Sequence, residues 1–95
     1  MDMNVNIVNE IINQIRECHS TFDSHLFIRE MIKIQPVLYG GLLMKHGNVN
    51  TAHSEISRFL GNHSKELGIV RIGDVDSETI LSSMERCANW GFSDN

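Results

Sequence analysis

Five histidines and two cysteines are the side chains of this 95-residue sequence with the clearest capacity for chemistry. Imidazole nitrogens and thiolate sulfurs bind zinc, and two such ligands on one helix share a face when they are three or four residues apart. His19, His25, His46, His53 and His63 contain no pair at that spacing. Cys18, His19 and Cys87 are a combination that a fold could gather, but histidines satisfied at the surface or the boundary are the ordinary reading, and the sequence predicts no metal site. Cys18 beside His19 is not a nucleophile pair, because neighbouring helical side chains point about 100 degrees apart. No GxSxG, phosphate-loop or dinucleotide-binding glycine pattern occurs, and Gly40-Gly41 lacks a following Lys-Ser or Lys-Thr. Binding rather than catalysis is therefore expected, with no cofactor and no small-molecule substrate.

Ser54, Ser57, Arg58, Asn62 and Lys65 lie along one candidate helix, with Arg71 on the segment after it. Serine and asparagine can hydrogen-bond base edges or phosphates, while the cations supply charge, so these six residues are the candidate nucleic-acid-binding set. Two features oppose DNA. Glu55 shares the helix, and Gly73-Asp74-Val75-Asp76, the proposed wing loop, carries carboxylates where a DNA-contacting wing would carry Lys or Arg. A protein partner is the preferred reading and DNA the alternative. The third candidate set is apolar. Val5, Val8, Ile12 and Ile15 recur at spacings of three and four, which fits two heptads of a coiled-coil seam and a self-association contact in a homodimer. The same stripe equally suits packing within the domain.

The elements that must position these residues follow from periodicity. Residues 4–18 read as an amphipathic helix, widened by Ile7, Ile11 and Cys18 but weakened by Asn4, Asn6, Asn9 and Asn13. His19 to Asp23 favours a turn and a cap, and a second helix starts near Ser24 with Leu26, Phe27, Ile28, Met31, Ile32 and Ile34 as its apolar face. Pro36 interrupts it and suits the first position of a third helix, which ends at Gly47 in a left-handed stop. Gly40 and Gly41 weaken that helix, predicting either a bend or something packed close to its backbone. Asn50 or Thr51 caps a fourth helix, with Ala52, Ile56, Phe59 and Leu60 buried. Residues 69–72 form a β-branched strand. The tail is open between a helix over residues 80–88 and short strands at 78–81 and 85–90.

A single domain is expected over residues 1–95: an N-terminal helix at 4–18, a helical core at 24–66, and a β-hairpin or a strand plus helix at 67–92. Helix, turn, helix, then hairpin is the order of a winged helix, so the fold class is mainly α with a small C-terminal β-hairpin, four helices and then two or three short strands. The hydrophobic fraction of 41% against 21% charged residues is ordinary globular usage. No apolar run approaches the roughly 18 residues of a membrane span, and the first residues lack the basic region and apolar core of a signal peptide. With cysteines that form no CxxC pair, a cytoplasmic location with free thiols is expected.

The net charge of -4 is unevenly spread. Residues 1–23 carry Arg16 against four carboxylates and residues 74–95 carry Arg86 against five, whereas residues 24–73 carry six cations against three. An acidic chain with a basic middle does not coat nucleic acid indiscriminately. Phe22-Asp23-Ser24-His25-Leu26-Phe27-Ile28, Thr51-Ala52-His53-Ser54-Glu55-Ile56 and Ser77-Glu78-Thr79-Ile80 together resemble a family of small uncharacterised bacterial proteins of about 90 residues that end near a tryptophan, as Trp90 does here. The resemblance implies one helical domain with a terminal aromatic. It assigns no activity and no site residues.

Overall fold

The structure is a computed structural model that describes residues 2–93. Helix α1 spans Val5–Cys18 and opens on Asn4, whose Oδ1 accepts from the Ile7 amide at 3.0 Å. Strand β1 covers only Thr21–Asp23, and helix α2 follows at once over Ser24–Ile34. Asp23 serves both, closing the strand while its Oδ1 accepts from the Leu26 amide at 2.8 Å. Helix α3 runs Pro36–His46 with proline in its first turn, and Gly47 ends it at φ 77°. That left-handed geometry costs an L side chain energy that glycine does not pay. Helix α4 spans Val49–Asn62 and is capped by Asn48, two residues before Asn50 and three before Thr51, the caps expected from the sequence, through a 2.7 Å bond from the Thr51 amide. A single turn, α5, covers Ser64–Leu67.

The tail resolves as strands. Strands β2 (Ile69–Glu78) and β3 (Met84–Phe92) pair antiparallel, and β1 adds to the far side of β3, giving the order β1-β3-β2. Helices followed by this hairpin make the arrangement winged-helix-like, mostly helical with a small antiparallel sheet. The strands are longer than expected. Asp74 to Ser77 is not a turn, because β2 continues through it and the chain reverses over residues 79–83. Thr79 holds that reversal, its amide donating to Ser83 O at 2.8 Å and its hydroxyl accepting from the Leu81 amide at 3.2 Å. Between Arg71↔Trp90 and Gly73↔Asn89 the register slips by one residue, and Gly73 takes φ 138° at this bulge. Strand β1 carried no periodic signal, since three residues are too few and Thr and Asp read as turn formers.

One core joins all the elements. Ile11, Ile12 and Ile15 of α1, Phe27, Ile28 and Met31 of α2, Leu38 of α3 and Ile56 and Leu60 of α4 are buried, and Phe22, Ile69 and Trp90 seal the sheet against them. The α1 stripe is used here. Val8, Ile12 and Ile15 are at most 2% exposed and Val5 packs partly against the same cluster, so the residues expected as a self-association seam are occupied within the chain. Their spacing fits both uses; Val8, Ile12 and Ile15 are committed to the intrachain one, while Val5 is only partly buried. Ile32 and Phe59 are only partly buried at the edge of the core. Beyond its chain neighbours and the helix backbone, no atom lies within 4 Å of where a Gly40 Cβ would sit, so close packing does not explain Gly40. Among the described residues, no helix is long and apolar enough to cross a membrane.

Candidate functional site

Helix α4 turns Ala52, Ile56 and Leu60 inward, which leaves Ser54, Arg58 and Asn62 exposed in one row at four-residue spacing, with Ser57 half-buried beside them. Lys65 is also exposed but stands on α5, because α4 ends at Asn62. Arg71 is exposed on β2. The fold thus brings the six residues to the same end of the molecule only in part. Lys65 and Arg71 meet at a groove of about 650 Å³ lined also by Gly61, Ser64, Val70 and Ser93.

Electrostatics weaken this face as a reader of phosphate. Arg58 Nη1 donates to Glu55 Oε1 at 2.6 Å, one turn earlier on α4. Arg71 donates to Asp74 across the β-bulge, and Arg86 lies 3.9 Å from the same carboxylate and 3.8 Å from Asp76. The Arg71 hydrogen bond holds the Asp74 carboxyl below its usual range, with the charges of Arg71 and Arg86 adding to the effect. These are exposed pairs of small energetic weight, but each places a negative charge beside a cation that DNA would need. Of the candidate cations, Lys65 alone has no carboxylate within ion-pair distance among the described residues. His63, at the end of α4, contacts Glu66 Oε1 at 3.1 Å and stacks on Phe59 with ring centroids 4.2 Å apart.

The inner edge of α4 holds a second polar contact, which periodicity alone did not single out. Tyr39 Oη and His53 Nε2 are 2.6 Å apart, with both residues partly or wholly buried. Burial pushes the Tyr39 phenol up and the His53 imidazole down. A phenol that keeps its proton and an imidazole that stays neutral can share this bond with the phenol donating. The hairpin differs in chemistry. Its strands carry Asp74, Asp76, Glu78 and Glu85, and Leu81 and Met84 stand 64% and 66% exposed around its reversal.

Cys87 does not gather with Cys18 and His19. Cys18 and His19 are exposed at the end of α1, whereas Cys87, half-buried on β3, converges with Asp23 and His25. The chain matches no protein-family model, no curated protein and no solved structure.

Proposed function

We propose that this chain is a non-enzymatic protein-interaction module of winged-helix-like build, contacting its partner through the β2–β3 hairpin, and that it works in the cytoplasm. The observation that carries the reading is the pairing of Arg58 with Glu55 and of Arg71 with Asp74, on the face that would otherwise dock on DNA. Phosphate binding draws its affinity from cations free to displace counterions. Here those cations are spent locally. The hairpin instead offers exposed Leu81 and Met84 among carboxylates, which suits a partner surface that is apolar at its centre and basic at its rim. Edge strand β2 is protected from pairing with another sheet by its charged residues and by the bulge at Gly73, so side chains rather than backbone carry the contact.

Titrating the full chain with random duplex DNA over a range of salt tests the reading. No saturable binding at physiological salt is expected. Binding whose affinity falls steeply with salt, and whose slope drops by about 2 when Arg58 and Lys65 are both replaced by Ala, would overturn it in favour of DNA. A photo-crosslinking residue at Leu81 supplies the positive arm, with discrete protein adducts expected in cells that express the chain and none from the same residue at exposed Asn62.

A further inference from the structure

We propose that Asp23, His25 and Cys87 form a zinc site that fastens the hairpin to the start of α2. One ligand atom from each residue lies within 4.8 Å of the others, and all three residues are half-buried, so an ion can reach them from solvent. The register explains the meeting. Asp23 pairs with Asn89, and Cys87 is two residues along β3 on the same face, diagonal to Asp23. His25 arrives from the first turn of α2. Val75 pairs with Cys87, which puts Ser77 on that face as well. The Ser77 hydroxyl lies 2.6 Å from His25 Nδ1 and 3.5 Å from Cys87 Sγ, holding both side chains in place.

Sulfur, nitrogen and oxygen donors in one cluster match zinc, a borderline ion that accepts all three. Tetrahedral bonds of about 2.3 Å to sulfur and about 2.0–2.2 Å to nitrogen and oxygen place ligand atoms roughly 3.5 Å apart. Closing from 4.8 Å needs a shift of about 1 Å, within reach of side-chain rotation at a half-buried site. Capping α2 occupies one oxygen of Asp23 and leaves the carboxylate its second for the ion. Charge also balances. The thiol releases its proton to water on binding, and thiolate, carboxylate and neutral imidazole together cancel the two positive charges. A water completes the fourth position. The site joins β1, α2 and β3, which come together in the folded chain, so binding the ion stabilises the hairpin's attachment.

The test uses the full chain, reduced and freed of metal, titrated with Co²⁺ as a spectroscopic probe and then with Zn²⁺. One equivalent of Co²⁺ is expected to give tetrahedral visible bands with a thiolate charge-transfer band, all displaced by Zn²⁺. Cys87→Ser should abolish the charge-transfer band, and His25→Gln should weaken binding by about 100-fold or more, while Cys18→Ser leaves both unchanged. Asp23→Asn covers the case in which another variant fails to fold, because asparagine still caps α2 but brings no charge, and it too should weaken binding at least tenfold, roughly. Zn²⁺ should raise the thermal midpoint of the unmodified chain and leave that of Cys87→Ser where it was. No binding by the unmodified chain, or a thiolate band that survives Cys87→Ser or disappears with Cys18→Ser, overturns the proposal.

Discussion

The Trp90 indole donates through Nε1 to Ser24 Oγ across 3.3 Å, in the buried seam where β3 meets the first residue of α2. Sixty-six positions separate the two residues, and both are at most 4% exposed. Trp90 also stands opposite Phe22 on β1, whose ring lies 6.4 Å from Phe27 and 5.6 Å from Phe92. The indole therefore supplies apolar area and satisfies a buried hydroxyl at once. Trp90→Phe keeps most of the area and removes the donor, so a loss of about 1–3 kcal/mol is expected from denaturant titration. If the same loss follows in a Ser24→Ala background, the hydrogen bond is not its source.

Burial of His53 against Tyr39 makes stability depend on pH. Burial holds the His53 imidazole below its ordinary value of 6.5, the charge of His25 lowers it further, and Glu85 opposes them. Below 6.5 the unfolded chain therefore takes up this proton before the folded chain does. Stability contributed by neutral His53 is complete above that value and is lost as the pH falls through the lower folded one. The urea midpoint should decline on acidification from about pH 7 to about pH 5, and His53→Gln should flatten that decline. An unchanged slope in the variant would assign the acid sensitivity elsewhere.

Two glycines of the third helix region should respond in opposite directions. Gly40→Ala meets no atom within 4 Å and should stabilise the chain by about 0.5–1 kcal/mol through helix propensity. Gly47→Ala forces a side chain into φ 77° and should cost about 1–2 kcal/mol. Thermal unfolding of the pair checks both signs.

Burial ranks the phenylalanines. Phe27 is 0% exposed at the centre of the core, so Phe27→Ala should cost about 3–5 kcal/mol. Phe59 packs at the edge and keeps its contact with His63, so Phe59→Ala should cost about 1–2 kcal/mol. Equal losses would mean that the two rings share one environment.

Helical spacing in the sequence locates four helices, because each buries a continuous stripe, and the proline at 36 and the glycine at 47 mark the ends of α3 in the chain as in the structure. What spacing cannot express is pairing over distance. Val8, Ile12 and Ile15 have the same period whether they face another copy or α2, and only the folded core decides between them. Asp74 and Asp76 read as a loop because turns favour such residues, yet β2 accommodates them beside Arg71 and Arg86. The Asp23, His25 and Cys87 group was invisible for the same reason. Asp23-Ser24-His25 is a short polar run with an ordinary capping role, and its third member enters from β3, 62 residues after His25, through a register that no local pattern records.

The order β1-β3-β2 places the strand made last between two strands made before it. Among the described residues neither β1 nor β2 has another ladder partner, so their ladder around Phe22 and Ile69 is not filled until β3 has been added through Phe92. Synthesis runs from the N-terminus, which means that helices can gather early while the sheet must wait until β3 has been made. A ribosome stalled before Met84 would hold not a smaller domain but two open strand edges, the kind of intermediate that chaperones recognise and proteases remove.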